Sequence, residues 1–184
     1  NNDCPRFIPL DEEFAWFIGL YLAEGSCDKS RGLPRRITLN LSSERRDLAE
    51  RAERFLSSIG IASKVGSVPS KPTVLYVRVS NIPFATLLYS ITGKGNTYTK
   101  RVPREVFECS DGVRESLVRG WYAGDGWFGE SESDGSVAVR VRAAGVSVNK
   151  VLITGIQRLA TSVGIHTAMS ERKPHKQSKT AYQL

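Results

Sequence analysis

Two stretches of this chain, 101 positions apart, follow one pattern: an apolar helix with a stripe of small residues, closed by an acid and a glycine. The first reads Phe17-Ile18-Gly19-Leu20-Tyr21-Leu22-Ala23-Glu24-Gly25 and the second Val118-Arg119-Gly120-Trp121-Tyr122-Ala123-Gly124-Asp125-Gly126. The offset aligns Gly19 with Gly120, Ala23 with Gly124, Glu24 with Asp125 and Gly25 with Gly126. Small residues spaced i, i+4 let two helices approach closely. Each copy then carries one carboxylate at the negative end of its helix, which is unfavourable for a lone acid. Two such ends side by side call for a cation. With hard oxygen donors and no His or Cys within either motif, the pattern points to Mg²⁺ or a similar ion such as Mn²⁺. Gly25 and Gly126 read as left-handed caps just beyond the acids.

The repeat extends past the helices. After Gly25, Arg36–Ser42 alternates, with Ile37, Leu39 and Leu41 on one face and Arg36, Thr38, Asn40 and Ser42 on the other. After Gly126, Val137–Arg142 does the same, with Ala138, Arg140 and Arg142 outward. An amphipathic helix follows in each half, opening at Ser43 and Glu44 or near Asn149. The two stop in matching fashion, Ser58-Ile59-Gly60-Ile61 against Ser162-Val163-Gly164-Ile165. Strands are expected at 62–68 and 73–80, and at 166–172 and 180–184. Each half reads helix, two strands, helix, two strands. The first half adds a helix at Pro83–Ile91, with no counterpart before Leu184, so the second half reads as C-terminally shortened. The expected division is a first half at 1–93, a linker at 94–112 and a second half at 113–184.

Composition narrows the partners. A net charge of +7 favours a polyanion. Three scattered cysteines without a CxxC pair, and two histidines, argue against a zinc site or a disulfide framework and fit a reducing intracellular setting. The longest apolar run, Phe14–Ala23, is too short to span a bilayer, so no membrane partner is expected.

Both motifs resemble the LAGLIDADG signature of homing endonucleases in the two-motif, single-chain arrangement. Lys100-Arg101-Val102-Pro103 is similar to the element that precedes the second motif in the intein-encoded branch. Glu24 stands where Asp is commoner, and Trp121-Tyr122 is bulkier than the usual pattern. The resemblance implies an α+β fold of two pseudo-symmetric αββαββ halves. The motif helices meet at the centre and two antiparallel sheets form a saddle over DNA. It implies a monomer that hydrolyses both strands of a long asymmetric site. Glu24 and Asp125 would hold the metal ions, with backbone carbonyls near Ala23 and Gly124, and a lysine would assist. Lys100 is the first candidate and Lys94 the second; the second half's lysine is expected beyond Leu184. The implied location is the cytoplasm or nucleoid of a prokaryote, or an organelle. No splicing nucleophile opens the chain and no His-Asn pair closes it, so self-splicing is not expected.

DNA reading would fall to the outward strand faces, where arginine suits guanine and asparagine suits adenine. Arg36, Thr38, Asn40, Arg140 and Arg142 are the leading candidates, followed by Lys64, Tyr76 and Arg78. The charged run Glu44–Arg54 is explained by i, i+4 pairing on a solvated face. Glu130–Gly135 reads as an acidic hairpin loop. A non-cleaving nucleic-acid-binding protein on the same scaffold, an RNA maturase or a DNA-binding regulator, is the alternative.

Overall fold

In the computed structural model the described residues are 4–93, 95–132, 139–172 and 180–184. The first half runs α1 (Glu12–Glu24), β1 (Gly25–Ser30), β2 (Leu33–Ser42), α2 (Arg46–Ser58), β3 (Lys64–Val68), β4 (Lys71–Val79) and α3 (Ile82–Thr92). The second runs α4 (Asp111–Asp125), β5 (Gly126–Glu132), β6 (Val139–Ser147), α5 (Lys150–Ser162), β7 (Ser170–Arg172) and β8 (Ala181–Gln183). Two antiparallel four-stranded sheets result, ordered β1-β2-β4-β3 and β5-β6-β8-β7. The expected α+β architecture of two αββαββ halves is the one observed.

Caps set the helix starts. The Asp11 side chain accepts from Phe14 N at 2.9 Å and opens α1. Asn81 does the same for α3 at 3.0 Å, and Asn149 for α5 at 3.1 Å. The glycines predicted to stop α2 and α5 are left-handed, Gly60 at φ 73° and Gly164 at φ 82°.

Helix α1 is buried from Phe14 to Leu22 because it is packed on more than one side. Phe14 and Phe17 meet Phe55 of α2 and Phe84 of α3, with ring centroids 5.0–6.3 Å apart. Ile37, Leu39 and Leu41 of β2 close the core from the sheet, as their alternation predicted.

Several local expectations need correction. Strand β1 starts at the motif glycine itself, so the chain leaves each motif helix directly into a sheet. Gly25 and Gly126 are therefore extended (φ −84° and −91°), not left-handed. Their requirement is spatial: a Cβ would meet the carbonyl oxygen and ring of Tyr21 or of Tyr122, four residues back in each case. Helix α2 begins at Arg46 after a 3-10 turn at Ser43–Arg45, later than expected. In the second half the last strands are three residues each, shorter than the sequence suggested. The predicted acidic loop at 130–135 falls on the end of β5 and on residues outside those described.

Candidate active site

The two motif helices cross through their glycines. A methyl group on Gly19 would run into the Leu117 carbonyl oxygen, and would lie 2.7 Å from the backbone nitrogen of Trp121. One on Gly120 would strike the carbonyl of Trp16. At Gly124 it would lie 2.5 Å from the Ala23 Cβ and 2.9 Å from the Glu24 Cγ. The small-residue stripes thus face each other, and main chain packs on main chain. Trp121, bulky for such a position, is accommodated because β6 places Gly145 beneath its ring.

This crossing brings together the last residues of α1 and α4: the Glu24 side chain lies against Gly124, within reach of the Asp125 charge. Burial raises the Glu24 pKa from 4.5 to about 7, the neighbouring Asp125 charge adds to the rise, and Lys100 opposes it. Burial also raises Asp125 from 3.8 to about 6, against the pull of Lys100. Desolvation and repulsion together define a place where a cation is favoured.

Lys100 is 2% exposed and reaches that place from the connection between the halves. Its Nζ donates to the carbonyl oxygens of Tyr21 (2.7 Å), Leu22 (3.0 Å) and Gly25 (2.6 Å), where α1 ends and β1 begins; Tyr21 O also accepts from the Gly25 N–H. It also lies 5.0 Å from the centroid of the Tyr21 ring. Burial lowers its pKa from 10.5 to about 8, while both acids pull it up. At the end of α4 the matching acceptor, Ala123 O, is met by another cation: Arg45 Nη1 donates to it at 3.1 Å. Sequence reasoning missed Arg45 by assigning Glu44–Arg54 wholly to a solvated face. Its place directly before α2, matching Asn149 before α5, is the signal that could have found it.

Among the described residues no three His, Cys, Asp or Glu side chains cluster. Mg²⁺ does not need three: it is commonly held by one or two carboxylates, with water and phosphate oxygens completing the shell. Two carboxylates at converging helix ends, flanked by the Ala23 and Gly124 main chain, fit such an ion.

Beside this centre, the solvent-facing side of the first sheet forms polar rows across the strands. Thr38 pairs with Ser26 on one side and Arg78 on the other, and Arg78 with Lys64. Asn40 pairs with Tyr76, and Tyr76 with Gly66. Arg78 stacks on the Tyr76 ring, 4.4 Å from its centroid, and the Tyr76 hydroxyl lies where a side chain on residue 66 would stand. Arg36 is held by Asp28 at 2.7 Å. Asn40 and Lys64 are exposed. Thr38 departs from the expectation of an open position: flanked on both sides in the sheet, it is 8% exposed. In the second sheet Arg140 lies opposite Ser131 and Arg142 opposite Gly129; their side chains are outside the described residues, as is Lys94.

Comparison with known proteins agrees with this geometry. A family model described as a LAGLIDADG-like domain matches residues 11–92 and again 113–184. A DNA polymerase of Thermococcus hydrothermalis is 27% identical over 165 residues, covering 86% of this chain and 9% of that protein. The DNA polymerase II large subunit of Thermococcus kodakarensis is 30% identical over 156 residues, covering 84% of this chain and 8% of that protein. The chain thus spans under a tenth of the length of these curated relatives. The homing endonuclease I-DmoI, solved in complex with DNA and Mn, shares the fold at a TM-score of 0.63 and 14% identity, over 95% of this chain and 89% of that one. Full-length DUF199/WhiA from Thermatoga maritima shares it at a TM-score of 0.59 and 12% identity, over 98% and 52%.

Proposed function

The chain belongs to the LAGLIDADG-like domain family, and from that premise we propose that it is a metal-dependent, site-specific double-strand DNA endonuclease. The single observation that carries this reading is the convergence of Glu24 and Asp125 at the ends of glycine-packed helices, with a buried ammonium beside them. A purely structural helix pair has no need of two desolvated acids at one point.

In this reading Glu24 and Asp125, with the main chain at Ala23 and Gly124, hold divalent ions. I-DmoI, with the same fold, has been solved with Mn and with Ca beside its DNA. When bound, Mg²⁺ or Mn²⁺ supplies an activated water and neutralises the leaving oxygen. The chain's own groups do the rest. The two acids orient the ions by being last in rigid helices. Lys100 keeps a positive charge beside Glu24 where anionic charge develops on the scissile phosphate. Arg45 is the corresponding charge at the α4 end. The sheet faces position the duplex, with Arg36, Asn40, Lys64, Tyr76 and Arg78 on the first and Arg140 and Arg142 on the second. Because the two faces differ in sequence, the preferred site is asymmetric, and one chain carrying both acids acts as a monomer. Residues 1–93 and 113–184 are the two functional halves, joined through 94–112. The Lys100-Arg101-Val102-Pro103 element and the matches to short portions of DNA polymerases support an intein-encoded origin.

The test is selection from a randomised duplex library with Mg²⁺. Cleaved, sequence-enriched duplexes are expected for the parent and none for Asp125→Asn. Enrichment by binding without cutting would instead support the non-cleaving reading on this scaffold.

A further inference from the structure

Lys100 does not hold its position through its side chain alone. Its N–H donates to the Asn96 carbonyl at 3.1 Å, and its own carbonyl accepts from Asn149 Nδ2 at 2.7 Å. The same Asn149 amide donates to the Thr97 carbonyl at 3.0 Å. The other side of Asn149 is committed too: Oδ1 accepts from Leu152 N at 3.1 Å and caps α5. Asn149 is 4% exposed, and it belongs to the second half, whereas Lys100 serves the helix end of the first.

The pseudo-symmetry gives this contact a counterpart. Helices α2 and α5 are both thirteen residues long, and aligned start to start they place Arg45 on Asn149. Arg45 reaches the end of the opposite motif helix directly, at Ala123 O. Asparagine is too short to do so, and instead grips the peptide of the lysine that does. The residue before each amphipathic helix thus supports the acid of the other half.

We infer that Asn149 is a positioning residue for the proposed cleavage, setting Lys100 at the end of the first motif helix through its side-chain amide. The inference rests on the endonuclease reading for its catalytic consequence, but its geometry can be tested without it. Serine at 149 keeps a capping oxygen for α5 and loses the amide donor; aspartate keeps the cap but turns a carboxylate oxygen towards the Thr97 and Lys100 carbonyls; alanine loses both cap and donor.

The experiment compares the parent chain with Asn149→Ser and Asn149→Asp. The readouts are single-turnover cleavage of a selected duplex, affinity for that duplex, thermal midpoint, and the ¹³Cε resonance of Lys100 in metal-free protein, assigned by its loss in Lys100→Met. Both variants are expected to cut about 10- to 100-fold more slowly at saturating DNA, as for a group displaced by a fraction of an ångström or more. Duplex affinity should stay near the parent value, while the melting midpoint falls modestly in Asn149→Ser and further in Asn149→Asp, where two buried carbonyls lose their donor. The Lys100 resonance should move towards those of exposed lysines. A cutting rate and a resonance both equal to the parent's, in a folded variant, would overturn the assignment. A lower midpoint with cutting at saturating DNA unchanged would also overturn it, by reducing Asn149 to a helix cap. If the parent chain does not cut, the endonuclease reading fails, and the resonance alone decides whether Asn149 positions Lys100.

Discussion

The ammonium of Lys100 stands 2.6 Å from the carbonyl oxygen of Gly25, the glycine that follows the first motif acid. A side chain from the connection between the halves therefore occupies the point, 75 residues earlier, where α1 passes into β1, and its ammonium gathers three main-chain carbonyls there.

Lys100→Met keeps the length and apolar stem of the side chain and removes the charge. It should lower single-turnover cleavage by about 100-fold or more with duplex affinity little changed. Lys100→Arg should not rescue it, because a planar fork does not match three carbonyls converging on one nitrogen. Cleavage by Lys100→Met at the parent rate would transfer the role to another group.

The pH dependence of stability follows from the acids. In chelator, folded Glu24 keeps its proton up to about pH 7, whereas in the unfolded chain it ionises near 4.5. Folded Asp125 behaves alike between 3.8 and about 6. Across this range the folded state binds more protons, so stability falls as pH rises through it. Lys100 acts in the opposite sense between about 8 and 10.5, where the unfolded chain binds the extra proton and stability rises with pH. Melting curves at pH 5 and pH 7.5 should show a lower midpoint at pH 7.5, with the difference reduced in Glu24→Gln and by added Mg²⁺. An identical midpoint in all these conditions would contradict the crowding of the acids.

Asp125→Asn should abolish cleavage while preserving binding, and should raise the metal-free melting midpoint at neutral pH. The gain expected from relieving a buried carboxylate is roughly 1–3 kcal/mol. Retained cutting would remove Asp125 from the metal site.

The glycine crossing makes a stability prediction. Gly120→Ala puts a methyl group against the Trp16 carbonyl, where neither helix can yield without separating. A loss of about 3 kcal/mol is expected, measured by denaturant unfolding. Gly60→Ala is the control. It meets nothing within 4 Å, and its cost arises only from a left-handed φ of 73°.

Duplex binding should weaken steeply with salt, because the proposed interface neutralises several phosphates. Arg78→Ala, which also unstacks Tyr76, should relax preference at one base pair by about 1–3 kcal/mol if Arg78 reads a base edge. If it touches phosphate, affinity should fall evenly across sequences and the salt slope by about one. A flat salt dependence would remove nucleic acid as the partner.

Local pattern was enough for much of this molecule. The small-residue stripe, the terminal acids, the alternation of Ile37, Leu39 and Leu41, and the stops at Gly60 and Gly164 are short-range signals that the structure reproduces. Where the reading went astray, a neighbour distant in sequence decided the outcome. Gly25 and Gly126 are extended because a strand begins there and a tyrosine ring fills the space of a side chain. Thr38 has the alternation of an outward residue, but the strands on either side cover it.

By itself, then, the amino-acid order determined that the chain is two like halves, each ending an apolar helix in a carboxylate, because helical and strand periodicities are written in neighbouring residues. The resemblance had already offered Lys100 as the assisting lysine; only the tertiary structure decided that its ammonium sits on the carbonyls at the end of α1 and that Arg45 meets the end of α4. Lys100, Arg45 and Asn149 come from three separate segments, and no local spacing along the chain encodes contacts between residues 49, 78 and 79 positions apart.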